Sequence, residues 1–204
     1  LVLINGILGR TLMLAGETTE AERHLRGAVD GADALTHFDA TVPDWYYLHA
    51  RYSEQLGGVL RQMRQLDKAA AGDANSLREL HTLVTKDPHN TEWQQELAAS
   101  DLENARLALD QNHADTASQL IASALDLIAQ LRDGSPKNQS LLLLAAQARI
   151  VAGRASAEHG DVTSAQNDWQ QAFQTLTPIA QSSNDIHVLA TWAAVLLELD
   201  DLEA

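Results

Sequence analysis

The chain has 204 residues, and 14 Lys+Arg against 28 Asp+Glu leave a formal charge of −14. That balance excludes a general binder of nucleic acid or anionic membrane, because such proteins need a net basic footprint to displace counterions from phosphate. No cysteine is present, which excludes disulfides, thiolate metal sites and cysteine nucleophiles without naming a compartment.

Hydrophobic residues make up 45% of the chain and aromatics 4%, with Ala and Leu together about a third. Ala and Leu have the lowest cost in a helix, so the composition predicts an all-α protein. The first helix is expected near residues 1–15. Its apolar opening, Leu1-Val2-Leu3-Ile4, has no basic leader and no small-x-small site after it, so it reads as a helix and not as a signal-peptide core. Gly16 turns the chain into a second helix near 18–35. Trp45, Leu48, Tyr52, Leu56 and Leu60 then recur at helical spacing through 44–63, and Leu66, Leu77, Leu80 and Leu83 do so through 66–86. Asp87-Pro88-His89-Asn90 closes that stretch. Helices follow near 90–111 and 114–132, and Asp133-Gly134-Ser135-Pro136 closes the next. Two more are expected near 138–159 and 162–182 with Gly160 between them, then a last one near 186–199. The tail, 200–204, reads as the start of a further helix. Pro43, Pro88, Pro136 and Pro178 are all expected at helix boundaries, where a missing N–H does no damage. No run of about 18 apolar residues occurs, so no membrane insertion is expected.

An internal repeat underlies this pattern. Ala21, Ala69, Ala117 and Ala165 stand at a constant step of 48 residues. At the same step Gly9, Gly57, Ala105 and Gly153 are small, as are Ala28, Ser76, Ala124 and Ala172. Leu25, Ile121 and Trp169 are bulky, with Asp73 as the exception. Small residues on both helices of a pair let the backbones approach while the bulky ones fill the adjacent space. One pair could not bury that face alone, so successive pairs must stack into a continuous core. Trp45 and Trp93, also 48 apart, are expected to wedge the entrance of one unit against its predecessor.

The residues Leu8-Gly9, Leu12, Gly16, Ala21, Leu25 and Ala28 resemble the tetratricopeptide repeat (TPR), and Gly153, Gly160-Asp161, Ala165, Trp169 and Ala172 repeat much of that pattern. The step of 48 exceeds the family's usual 34 residues, and such long-helix versions look like arrays in bacterial multidomain signalling proteins such as Ser/Thr protein kinases. Asp73, Asp101, Asn104 and Arg149 depart from the pattern. The resemblance implies an α-solenoid of antiparallel helix pairs, a TPR-like superhelix. It implies one array over 1–204, part of a longer polypeptide, with units of about 1–40, 41–88, 89–136 and 137–184 and a partial unit 185–204.

In such arrays the first helices line a concave surface. Arg10, Gly58, Arg106 and Arg154 are equivalent there, and Arg51, Glu54 and Arg61 share the helical face around Gly58. Apolar neighbours accompany the arginines: Leu3 and Met13, Leu102 and Leu109, Ile150 and Ala157. Such a groove suits a protein or peptide bearing carboxylates, an acidic segment or a C-terminus, because a guanidinium can hold a carboxylate through two parallel hydrogen bonds. The competing reading pairs these arginines with acids of the chain itself, such as Glu103 or Glu158, and counts the apolar neighbours as core.

Catalytic patterns are absent: no phosphate-binding Gly-rich loop ending in Gly-Lys-Ser/Thr, no Gly-x-Ser-x-Gly turn and no kinase signature. The eight histidines never fall three or four apart on a helix, and His37 with Asp39 reads as an ordinary loop. The expected function is a non-catalytic protein-interaction scaffold with no cofactor. The alternative is a self-association module that joins copies through the array ends, with an uncharacterised helical enzyme as the remote third. The cytoplasm is favoured, with the periplasm open if a transmembrane helix lies upstream.

Overall fold

The computed structural model describes residues 1–200, which form nine helices and no strand. They are α1 (Val2–Leu14), α2 (Thr18–Phe38), α3 (Pro43–Gln62), α4 (Leu66–Lys86), α5 (Thr91–Asp110), α6 (Ala114–Gly134), α7 (Gln139–Glu158), α8 (Val162–Ala180) and α9 (Ile186–Asp200). The helix expected to begin at the tail falls on residues 201–204, outside the described residues. The helices fall into two compact units: α1–α5 within Leu1–Gln111, and α6–α9 from Asn112 onward. Within each unit, connections of three to five residues turn each helix back on the one before, which makes packed neighbours antiparallel.

Local sequence explains where the helices begin and end. Asn90 Oδ1 accepts from the Trp93 N–H at 3.1 Å, Asn138 Oδ1 from the Ser140 and Leu141 N–H groups at 3.0 and 3.3 Å, and Asp161 Oδ1 from the Ser164 N–H at 3.0 Å. Each satisfies an amide that the first helical turn leaves without a partner. The inner turns obey the same 48-residue step as the packing residues. Gly16 and Gly160 have φ of 80°, while Arg64 and Asn112 have φ of 60°. Past the positive-φ residue, the N–H groups of Glu17, Gln65 and Asp161 return to the carbonyls of Leu12, Leu60 and Ser156, each at 2.9 Å. This bond pattern closes a helix over a left-handed residue, which Gly enters freely, Asn readily and Arg only at a steric cost of about 1 kcal/mol.

One proline departs from expectation. Pro178 lies inside α8 and not beyond it. It sits in the last turn, so a single ladder bond is lost, and the helix ends two residues later at Ala180, capped by Gln181.

The matched alanines occupy matched surroundings. Ala21, Ala69, Ala117 and Ala165 are fully buried, as are Ala28, Ala124 and Ala172. Ser76, the fourth member of that set, is equally buried because its hydroxyl donates to the Ala50 carbonyl at 2.8 Å. In three of the four copies the second-helix residue fits against a glycine on the first helix. A Cβ on Gly9 would lie 2.6 Å from Leu25 Cγ, one on Gly57 would lie 1.9 Å from Asp73 Oδ1, and one on Gly153 would lie 2.3 Å from Trp169 Nε1. In the first unit this fit seeds a core of Ala21, Leu25, Ala28, Tyr52, Leu56, Val59, Leu60, Ala69 and Leu107. In the second, Ala146, Ile150, Ala165, Trp169, Ala172, Leu176 and Val195 form the corresponding core. Of the expected wedges, Trp45 is half-buried with its ring 6.3 Å from that of the exposed Phe38 at the end of α2, and Trp93 is buried at the start of α5.

Trp169 cannot yield easily, because its indole N–H donates to the Ile150 carbonyl at 3.2 Å and fixes the ring. Gly153→Ala is therefore expected to overpack this hairpin and to destabilise the chain by roughly 1–3 kcal/mol, measured as a lower midpoint in urea at an unchanged slope.

Candidate functional site

The expected site residues separate into three settings. In the first, Arg10 of α1 and Arg51 of α3 line a cavity of about 210 Å³ with Leu3, Gly6, Ile7, Tyr52 and Gln55. Gly6 lets the Tyr52 ring close against α1, because a Cβ there would lie 2.1 Å from it, and the ring forms a buried floor. Leu3 and Ile7 stay more than half exposed beside it. Burial raises the Tyr52 pKa, with Arg51 and then Arg10 opposing. Arg10 itself makes no ion pair among the described residues, and Gln55 Oε1 is buried with no donor.

Arg51 also belongs to a compact polar group. Its guanidinium lies 3.9 Å from Glu96 and 5.9 Å above the Tyr47 ring. The Tyr47 hydroxyl donates toward Glu92 and Glu96, at 3.0 and 3.3 Å. Burial works against the Arg51 charge, but Glu96, Tyr47, Tyr52 and Glu92 together outweigh it and hold the guanidinium protonated more firmly than usual. Burial likewise raises the Glu96 carboxyl, against the pull of Arg51 and the Tyr47 hydroxyl.

The second setting gathers Glu54, Arg61 and Arg106. Arg61 spans two acids, Asp110 at 3.3 Å and Glu103 at 3.7 Å, and Arg106 is joined to the same Glu103. Gly58 is the one strip position without a side chain, and the Glu103 carboxylate stands 3.7 Å from where a Cβ would be, an ordinary contact distance. Glu54 is partly buried, and its carboxyl is pushed well up, first by burial and then by Glu103, Glu96 and Asp73.

The third setting is Arg154 in the second unit, whose guanidinium is bound to Glu198 of α9. Glu103 is thus a partner that the sequence names for its neighbouring arginine. Arg154 instead takes Glu198, a residue supplied by the next first helix and not by its own.

The apolar neighbours of these arginines divide in the same way. Leu102, Leu109 and Ile150 are buried, so they belong to the interior and not to a groove. By contrast, α1 packs on α2 and α3 alone and leaves Leu3 exposed. Of the positions that break the pattern, Asn104 and Arg149 are satisfied internally. Asn104 donates to the Ser100 carbonyl at 2.9 Å, Arg149 donates to Asp168 at 2.7 Å, and Asp101 is buried. His37 lies in the last turn of α2 and not in a loop, with Nδ1 2.9 Å from the Asp33 carbonyl, while Asp39, just past the helix, accepts from Thr41.

Tyr52 and Gln55 are the site residues that sequence reasoning missed. Their register positions gave no clear signal: Gln55 is equivalent to Ile7, Glu103 and Val151, polar in the two middle copies and apolar in the outer two. Among the described residues no group of three or more His, Asp or Glu is placed to hold a metal ion, and no helix is long and apolar enough to cross a membrane.

The fold and these surfaces define a helical-hairpin repeat, TPR-like in its small-residue packing and left-handed inner turns. No family model matches the chain, and no curated protein matches it. Among solved structures it is similar to a thermophilic TPR protein of Thermus thermophilus, with 15% identity and a TM-score of 0.41, over 97% of this chain and 100% of that one. It is also similar to a de novo designed helical repeat protein, with 15% identity and a TM-score of 0.35, over 99% of this chain and 92% of that one.

One titratable pair braces α3 against α4 beside the site. His49 Nδ1 lies 2.8 Å from Glu79 Oε2, and this hydrogen bond raises the histidine pKa against the opposing effect of burial. A raised histidine pKa contributes stability that is complete below the ordinary value of 6.5 and is lost as pH rises through the folded value. Histidine NMR titration should therefore give His49 a midpoint above 6.5, and Glu79→Gln should lower it.

Proposed function

We propose that this chain is a non-catalytic scaffold that binds a peptide bearing a carboxylate across α1 and α3, with Arg10 as the receiving cation. The observation that carries this reading is that Arg10, at the cavity, has no ion-pair partner among the described residues. The other strip arginines, Arg51, Arg61, Arg106 and Arg154, already face acids of the chain. A peptide carboxylate can take Arg10, and an aliphatic side chain can cover Leu3 and Ile7. Arg51 contributes a second positive charge at the same cavity, while Glu54, Arg61 and Arg106 set the local field along α3 and α5. Fluorescence anisotropy with a panel of acidic peptides, free and amidated at the C-terminus, tests it. Arg10→Ala should weaken the best ligand about tenfold or more, the range of a lost charged hydrogen bond, while Arg154→Ala should leave it unchanged. Equal affinities for wild type and Arg10→Ala would remove the site.

A second reading, self-association within a larger signalling protein such as a bacterial Ser/Thr kinase, is favoured by the outer side of α1. Leu1, Ile4, Ile7 and Leu8 are exposed there, although Tyr52, Ala148 and Val151 at equivalent register positions are buried. Exposed apolar patches of this kind mark association surfaces. Sedimentation velocity should show reversible dimers at tens of micromolar, lost in the double variant Ile4→Glu, Ile7→Glu; a strictly monomeric chain would exclude this reading.

A further inference from the structure

Three of the four 48-residue copies place a bulky apolar side chain at the position that packs against the first helix: Leu25, Ile121 and Trp169. The second copy places Asp73 there. Its side chain is not turned out to solvent, since the residue is only 2% exposed and Oδ1 points at the bare Gly57 backbone of α3, where a Cβ would lie 1.9 Å away. That oxygen receives no hydrogen bond. An ionised carboxylate in such a place loses its hydration and gains no donor in return.

The charges around it do not restore the balance. α3 presents Glu54 and Arg61, and α5 presents Glu103, with Glu96 and Arg106 bearing on Glu54. Both cations are committed elsewhere, Arg61 to Glu103 and Asp110 and Arg106 to Glu103. Acids from three helices therefore converge on one junction within the first unit, and Asp73, buried among them, has no partner for its inner oxygen.

We propose that Asp73 makes the junction of α3, α4 and α5 a proton-sensitive joint, tightly packed while the carboxyl is neutral and loosened when it ionises. Burial first, then Glu103, against Arg61, pushes the Asp73 carboxyl up from 3.8 to about 7. The sign follows from linkage. Between these values the folded chain holds a proton that the unfolded chain releases, so this group's contribution to stability falls as pH rises from about 4 to about 7 and stays low above. That slope is opposite to the one expected of an ordinary surface-paired aspartate. Through Glu54 and Glu103 the same event reaches Arg61 and Arg106, so the charge pattern along α3 and α5 changes with Asp73.

The test follows the Asp73 side-chain carboxyl by ¹³C NMR in the full chain, with amide hydrogen exchange at about pH 5.5 and about pH 8.5 corrected for intrinsic rates. A midpoint near 7 is expected, together with a rise of about tenfold or more in the opening of α4 and α5 at the higher pH. Asp73→Asn, which keeps the shape and removes the charge, should cut that rise at least severalfold, leaving the part that the His49–Glu79 pair contributes. Asp73→Leu, the residue type of the first copy, should cut it equally and should raise the thermal midpoint at the higher pH. A carboxyl midpoint near 4, or an equal rise in exchange in Asp73→Asn, overturns the proposal.

Discussion

The structure depends on close approach of the two helices in a hairpin, achieved by seating one side chain in the space a glycine leaves. Gly9 receives Leu25, Gly57 receives Asp73 and Gly153 receives Trp169. Adding a single methyl group would bring atoms well inside van der Waals contact, so helix spacing is set by the absence of a side chain. The buried alanines on the second helices extend the approach along the axis. The inner turns must then reverse the chain in three residues, and the left-handed conformation at Gly16, Arg64, Asn112 and Gly160 achieves it. Packing and turn share one period because each demands the other.

The same seat accepts partners of very different chemistry. Leucine fills it by apolar contact alone, and tryptophan fills it and anchors its indole on the Ile150 carbonyl. Aspartate fills it with less volume and a titratable oxygen, so the second hairpin gives up hydrophobic burial for a group that responds to protons. Carboxylates of α5 gather at this hairpin, with Glu103 and Glu96 bearing on Glu54.

Charge is organised by neighbourhood more than by net balance. A chain of net charge −14 supplies more acids than bases, and stacking of α3 on α5, or of α7 on α9, brings arginines of one first helix within reach of acids on the next. Arg51 and Arg61 meet Glu96, Glu103 and Asp110 in that way. Arg10 stands on α1, over the Tyr52 floor, and keeps its guanidinium uncommitted among the described residues. Its value to a ligand comes from that position and not from its residue type.

The amino-acid sequence by itself determined the all-α class, helix ends to within about three residues, the 48-residue period and the burial of the matched alanines. These follow from spacing, capping and side-chain size, which act over one or two helical turns and are written locally. Tertiary structure alone decided which arginines are occupied. Arg106 and Glu103 are neighbours in sequence, but the Arg61–Asp110 and Arg154–Glu198 pairs span more than forty residues and exist only once the helices stack. It also decided that Leu102 and Ile150 face inward, that Pro178 sits within a helix, and that Gln55 and Asp73 each hold an oxygen away from any donor. Whether a polar atom is paired depends on groups brought from distant parts of the chain, and no local pattern encodes that.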